Sequence, residues 1–219
     1  MRKTFQLILL IAIFAGCKST SPVWTGASER EKSYFPVYDE KTVKHHTDSL
    51  GNRMIGMPPI KPNDSLSEFV NNWYSKHLYS LGEPVLYNKT NTPVNVVRFT
   101  HLGTWGNPYS YRLEQNKSEV TATYSKTDGL GGYQAGKRIE QGSKKMNLEK
   151  WNAVIEKMNS IDFWNIGTHD ENIILDGEEW IFEALIDGRY HFITRNSPDH
   201  YDGKDFAELC DLVVHVYNE

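Results

Sequence analysis

The chain has 219 residues, and its 24 Lys and Arg against 28 Asp and Glu give a formal net charge of −4. The basic residues are scattered along the sequence, so this mildly acidic chain argues against a nucleic-acid partner. Cys17 and Cys210 are the only cysteines, which excludes a zinc site made of cysteines alone.

The N-terminus has the pattern of a secretory signal. Residues 1–3 supply two cations, and the apolar run at 5–14 that follows is about half of the roughly 20 residues that a spanning helix needs. The sequence then reads Phe14-Ala15-Gly16-Cys17, which resembles the lipobox of bacterial lipoproteins. This resemblance implies that residues 1–16 are removed and that the thiol of Cys17 receives a lipid. An ordinary signal peptide with a chance cysteine is the alternative.

A lipid on Cys17 implies that the protein is anchored to a membrane without spanning it, since each buried methylene contributes ~0.8 kcal/mol. In many Gram-negative bacteria an Asp after the lipidated cysteine retains a lipoprotein at the inner membrane. Lys18 stands there instead, so the analogy predicts the outer membrane. With Cys17 lipidated, Cys210 has no partner left for an intramolecular disulfide.

Residues 17–64 are predicted to form the lipidated cysteine and a flexible polar tether, and residues 65–219 a single globular domain. The tether shows no sustained hydrophobic period, and such a segment buries too little apolar surface to offset its ordering entropy. Some apolar residues leave a second possibility open, in which part of the segment docks on the domain or on a partner: Phe35, Tyr38, Met54, Ile55 and Met57.

Three amphipathic helices are predicted in the domain. The first begins at a capping box, Ser65-Leu66-Ser67-Glu68, and ends before Gly82. The second covers 148–159 behind an Asn147 cap, and the third begins near Lys204.

Alternating or β-branched stretches predict strands at 84–87, 94–102, 109–114, 118–126 and 137–141. A β-hairpin is predicted at 179–185 and 189–196, because Asp187-Gly188 suits a type I′ turn. The order helix, strands, helix, hairpin, helix predicts an α+β fold, an antiparallel sheet with about three helices packed on it.

The hairpin turn also predicts which side chains share a face. A two-residue loop places Trp180 opposite Arg195, a possible cation-π pair, and turns His191 to the same face. Glu183 points to the other face, so a Glu183, His191 and Arg195 acid/base trio fails unless a bulge intervenes.

The C-terminal half carries a distinctive set of residues: Ile161-Asp162-Phe163-Trp164, Asp176-Gly177, Trp180, Glu183, Tyr190-His191, Arg195 and Ser197-Pro198. With them, the segment 98–214 resembles an uncharacterised domain of bacterial envelope lipoproteins. Asn196 stands where that family commonly has tryptophan. The resemblance implies an envelope location and a compact C-terminal domain, and it implies no catalytic residue.

The first functional hypothesis is a non-enzymatic envelope lipoprotein that binds a protein or a small envelope ligand through one face of the sheet. Its candidate binding residues are Asp176, Trp180, Glu183, Tyr190, His191 and Arg195. The second is an envelope hydrolase that uses His191 with Glu183 or Asp176. The third is an immunity or inhibitor lipoprotein.

No cofactor or metal is expected. His169 and His200 have acidic neighbours in predicted loops, but no histidine pair stands at i, i+4 on a helix.

Overall fold

A computed structural model describes residues 33–170, 174–200 and 203–219. The predicted signal peptide at 1–16 and the predicted lipid attachment at Cys17 lie outside these residues. Within the three ranges, no helix has the length and the apolar character that crossing a bilayer requires.

Among the described residues, six antiparallel strands form one sheet and three helices pack on it. The strands are β1 Asn95–Gly103, β2 Tyr109–Asn116, β3 Glu119–Thr127, β4 Arg138–Met146, β5 Glu178–Ile186 and β6 Arg189–Asn196. Their spatial order is β4-β3-β2-β1-β5-β6. The helices are α1 Glu68–Leu81, α2 Leu148–Ser160 and α3 Lys204–Asn218. The predicted α+β class is confirmed, whereas the stretch 84–87, predicted as a strand, is not one.

Polar side chains cap the first two helices. The hydroxyl of Ser67 accepts a hydrogen bond from the amide of Val70 at 3.3 Å. The predicted capping box was therefore wrong, since α1 begins two residues after a Ser65 cap would start it. Gly82, with φ of 78°, ends α1, and Asn147 caps α2, both as predicted.

Side chains alternate between two covered faces of the sheet. Phe182 and Ile193 point to one face, where Val213 of α3 packs with them. We call this the α2–α3 face. Ile181 points to the other, which we call the α1 face, and belongs to a cluster with Leu78 of α1.

The β5–β6 hairpin has the predicted turn and register. Asp187 and Gly188 have φ of 50° and 77°, as a type I′ turn requires. Trp180 lies opposite Arg195, and Glu183 lies opposite a β6 residue of the α1 face. The hairpin was predictable because a tight turn and a period of two are local properties of the sequence.

Part of the segment before α1 packs on the α1 face. Tyr34 is 1% exposed and Phe35 is 0% exposed, and the ring centroid of Phe35 lies 4.9 Å from that of Phe192. Val37 then pairs with Leu66 and holds it extended, which explains why α1 begins later than predicted. Phe35 thus docks on the domain, one of the two possibilities that the sequence left open, whereas most side chains between 39 and 60 are exposed.

Two arginines and two glutamates form the buried part of an ion-pair network on the α1 face, and the less buried Glu114 joins it through Arg112. Arg98 is 0% exposed, and its guanidinium donates to Glu183 at 2.5 and 2.7 Å and to Glu83 at 3.3 Å. The Nε of Arg112 lies 2.9 Å from Glu83. Burial alone would raise the pKa of Glu83, but the charges of Arg112 and Arg98 outweigh it and lower the pKa.

Replacing Arg98 with Met is expected to lower the free energy of unfolding by about 3 to 5 kcal/mol. The variant keeps the apolar volume but leaves Glu183 buried without its cation. Urea denaturation at pH 7 measures the loss. The exposed Arg53, changed to Met, serves as a control and is expected to shift stability by less than about 0.5 kcal/mol. A loss for Arg98→Met as small as that of the control would show that the network does not stabilise the fold.

Candidate ligand-binding cleft

A cleft opens between α1, the β5–β6 hairpin and the two loops at 61–67 and 167–170. Its volume is about 520 Å³. Aromatic, acidic, basic and hydroxyl side chains line it together: Tyr38, Lys61, Leu66, Ser67, Phe69, Val70, Trp73, Tyr74, His169, Asp170, Glu179, Thr194 and Asn196. We call it the Glu179 cleft.

Glu179 provides the carboxyl group of the cleft. It lies on β5 and points to the α1 face, where it is partly buried. The hydroxyl of Tyr74 hydrogen-bonds to it. Burial, as the largest cause, and the negative charge of Asp170 raise the pKa of Glu179 to about 7, although Tyr74 and Lys61 act in the opposite direction. The group therefore exchanges its proton near neutral pH.

Two aromatic residues of α1 form one wall. The ring centroids of Trp73 and Tyr74 lie 5.2 Å apart. The indole Nε1 of Trp73 donates to the carbonyl of Gly131 at 2.8 Å, which holds the ring in place. Phe69 lies at the rim with 78% of its surface exposed.

Hydrogen bonds between the two loops form the opposite wall. The amide of Asp64 donates to the hydroxyl of Thr168 at 2.7 Å, and the amide of Thr168 donates to Asn63 at 3.3 Å. His169 Nε2 lies 2.9 Å from the carbonyl of Pro62. Burial, its largest cause, lowers the pKa of His169, so the ring is neutral and Nε2 carries the proton that this bond needs.

Arg195 and His191 support this wall from the α2–α3 face. The guanidinium of Arg195 donates to the carbonyls of Gly167 at 2.9 Å and Thr168 at 3.2 Å. The ring of His191 lies 2.5 Å from Asp64 through Nδ1 and 3.0 Å from a backbone carbonyl at residue 166 through Nε2. Both side chains therefore position the loops of the cleft without lining it.

The structure divides the residues that the sequence singled out between two faces. Trp180, His191 and Arg195 lie on the α2–α3 face, while Glu183 and Tyr190 lie on the α1 face. His191 and Glu183 therefore do not meet, as the strand parity predicted. The hydroxyl of Tyr190 instead donates to Glu183 at 3.0 Å, beside the buried ion pair.

Asp176 and Trp180, two of the predicted binding residues, do not line the cleft. Asp176 is exposed in the turn before β5, with φ of 58°. Trp180 is 8% exposed and belongs to the core. The aromatic ring under the guanidinium of Arg195 is that of Phe206, at 5.9 Å, instead of that of Trp180.

No motif or spacing in the sequence singles out Glu179, Tyr74 or Lys61 as a site residue. Strand parity could have placed Glu179 on the α1 face, and the helical period did place Tyr74 on the apolar side of α1. These residues come together through contacts between segments that are distant in the sequence. Neither the strand period nor the helix period predicts such contacts.

Comparisons of the chain with protein-family models, with curated proteins and with solved structures found no match. The resemblance of segment 98–214 to a domain of envelope lipoproteins stays a prediction. Function must therefore be inferred from the chemistry of the cleft.

Replacing Glu179 with Gln is expected to stabilise the protein more at pH 8 than at pH 5. The pKa of Glu179 is about 7 in the folded state against an ordinary value of 4.5. The folded protein thus binds the extra proton between these values, and the wild type loses stability as the pH rises through 7. The loss is at most about 3 kcal/mol, and Gln removes it. Urea denaturation at both pH values measures the difference.

Glu178→Gln is the matched control. Burial raises the pKa of Glu178, but the hydrogen bond and charge of His101 outweigh it, so the pKa is lowered. Since a histidine carries more positive charge at pH 5 than at pH 8, the control should lose at least as much stability at pH 5 as at pH 8, which is opposite in sign to the gain expected for Glu179→Gln. An equal gain for Glu179→Gln at the two pH values would mean that Glu179 does not exchange its proton in this range.

Proposed function

We propose that the protein is a lipid-anchored, non-enzymatic binding module of the bacterial envelope that holds a small ligand in the Glu179 cleft. The observation that carries this proposal is a cavity of about 520 Å³ that contains a partly buried carboxyl group of raised pKa. Small-molecule sites commonly have volumes of roughly 300 to 1,000 Å³. Strongly perturbed carboxyl groups in clefts are enriched at functional sites.

The cleft is built on anchored elements, which favours binding to a preformed site. Glu179 stands on β5, which is paired with β1 on one side and β6 on the other. Trp73 is held by its bond to Gly131, and the loop wall is held by hydrogen bonds to Thr168. Preorganisation of this kind lowers the entropic cost of binding, because fewer side chains and loops have to become ordered.

Binding without catalysis is the function that the geometry supports best. A hydrolase that uses His191 with Glu183 needs the two side chains within about 3 Å of each other or joined by one water, and they lie on opposite faces. Asp176 stands exposed in a turn, and His191 already contacts Asp64. The histidine that lines the cleft, His169, is hydrogen-bonded to the carbonyl of Pro62.

The envelope location rests on the lipobox pattern that ends at Cys17 and on Lys18 after it. Lipidation would place the cleft at a membrane surface, and the absence of Asp after the cysteine favours the outer membrane of a Gram-negative bacterium. The ligand would then be one that is present at that surface.

Cys17→Ser is expected to abolish lipidation and release the protein from membranes. Metabolic labelling with an alkyne-modified palmitate, followed by membrane fractionation, measures both effects. Cys210→Ala is the control, because the thiol of Cys210 is buried in the core, and it should keep the label. Equal labelling of the Cys17→Ser variant and the wild type would remove the lipid anchor from the proposal.

The cleft is tested by a fragment screen on residues 18–219 that uses ¹⁵N NMR. Fragments are expected to perturb the amides around Tyr74, Thr194 and Glu179. Trp73→Ala removes one of the two rings of the aromatic wall. It should lower the affinity for the bound fragments at least about tenfold, which corresponds to about 1.4 kcal/mol.

Trp105→Ala is the matched control, because Trp105 is 62% exposed and lies outside the cleft. It should bind fragments as the wild type does. Perturbations that appear elsewhere, or that survive Trp73→Ala undiminished, would rule out the cleft as the ligand site.

A further inference from the structure

The Glu179 cleft contains a carboxyl group that is not paired with a cation of the described residues. Glu179 hydrogen-bonds to Tyr74, and in the described part of the chain it forms no ion pair. Glu183, four residues along the same strand and on the same face, is paired with Arg98 at 2.5 Å. Of the two glutamates that β5 directs to the α1 face, Glu183 therefore has a paired cation, and among the described residues Glu179 has none.

The cations nearest to Glu179 are placed elsewhere. Arg195 donates its guanidinium hydrogen bonds to backbone carbonyls, including that of Thr194 at 2.7 Å. Lys61 is exposed at the mouth of the cleft. The neutral ring of His169 is bonded to the 61–67 loop. Lys61 and Arg195 both act on the charge of Glu179 from a distance, but among the described residues neither forms an ion pair with its carboxyl group.

The other groups that face Glu179 also favour a positive charge there. Asp170, on the 167–170 loop, adds a second negative charge that acts on Glu179. From α1, Trp73 and Tyr74 present aromatic rings, and Tyr38 adds a third. The faces of such rings attract cations, and tryptophan attracts them best.

The same surroundings disfavour the other ligand charges. An anion would lie close to both Glu179 and Asp170, and like charges at that range disfavour binding. A neutral ligand would leave the carboxyl group without a counter-charge once it ionises, and a desolvated charge of that kind is costly. An apolar body attached to a cation would satisfy the aromatic walls and the carboxyl group together.

Resting on the binding function proposed above, we propose that the ligand of the Glu179 cleft is an organic cation, a protonated amine or a guanidinium on an apolar body, whose binding releases a proton from Glu179. The O–H bond of the carboxyl group breaks, the proton passes to the solvent, and the carboxylate accepts hydrogen bonds from the cation. Charge inside the cleft stays balanced, because one cation replaces one proton. The pKa of about 7 places this exchange near neutral pH.

Benzylamine and benzyl alcohol are suitable probes, because they share one aromatic body and differ in charge. Isothermal titration calorimetry on residues 18–219 should show that benzylamine binds about tenfold more tightly at pH 8 than at pH 6, since the deprotonated fraction of Glu179 rises by that factor. Titrations in two buffers of different ionisation enthalpy should give about 0.9 protons released at pH 6 and about 0.1 at pH 8. Benzyl alcohol should bind more weakly and without pH dependence.

Two variants test whether the released proton comes from Glu179. Glu179→Gln should weaken the binding of benzylamine at pH 8 and abolish both its pH dependence and the proton release. The binding of benzyl alcohol should not change. Glu178→Gln, whose side chain lies on the opposite face, should behave as the wild type does. Retention of proton release by Glu179→Gln would overturn the assignment to this residue.

The outcomes separate the ligand class from the function itself. If benzyl alcohol binds as tightly as benzylamine at pH 8 and perturbs the same cleft amides, the cationic class is wrong and the cleft remains a binding site. If neither probe perturbs those amides and the fragment screen also leaves them unchanged, the binding function fails together with the ligand class.

Discussion

The alternation of side chains along β5 governs both the packing of the sheet and the position of its charges. Trp180 and Phe182 point into the core under α2 and α3, whereas Glu179, Ile181 and Glu183 point to the α1 face. This assignment follows from a period of two, and the turn at Asp187-Gly188 fixes its phase relative to β6. A shift of one residue would bury both glutamates under α2 and α3, where apolar side chains lie.

Two carboxyl groups on the same face of β5, those of Glu183 and Glu179, have different surroundings. Glu183 is fully buried and has Arg98 as a partner. Burial raises the pKa of Glu183, and the charge and hydrogen bonds of Arg98 oppose that rise. Glu179 lies about 13 Å away along the strand, where α1 leaves room for a cleft. Burial there acts on a carboxyl group that has no ion-pair partner among the described residues, so its proton is retained up to about pH 7. The contrast separates a residue that stabilises the fold from one that is available to a ligand.

The parts of the fold that depend on local periodicity were predictable from the sequence. The hairpin register, the Asn147 cap and the stop at Gly82 each need only a few neighbouring residues. The Ser65 cap was wrong for a non-local reason: Leu66 is paired with Val37, and α1 can begin only after that pairing ends. The stretch 84–87 fails as a strand because it closes over the buried charges, with the carbonyl of Pro84 accepting from Arg98 at 2.7 Å.

The candidate site was less predictable than the fold, because its residues come from five separate segments. His191 and Arg195 stood out in the sequence as polar residues on a strand, and their structural role is to hold the loops at 61–67 and 167–170 against the sheet. Glu179 looked like one more charged residue at the start of the same hairpin. Its surroundings depend on those loops and on Tyr74 of α1, and no spacing in the sequence encodes their approach.

Positioning and binding are therefore divided between the two faces of one hairpin. On the α2–α3 face, the guanidinium of Arg195 is occupied by three backbone carbonyls and leaves little for a ligand to contact. The loops that they hold carry Lys61 and Asp170 to the other side of the sheet, beside Glu179. A change at Arg195 should thus alter the cleft through the loop wall and through the loss of a positive charge that acts on Glu179. A change of Glu179 to Gln alters the charge of the cleft alone. The polar residues that the sequence makes conspicuous build the cleft, and the carboxyl group that gives it chemistry owes its raised pKa first to burial.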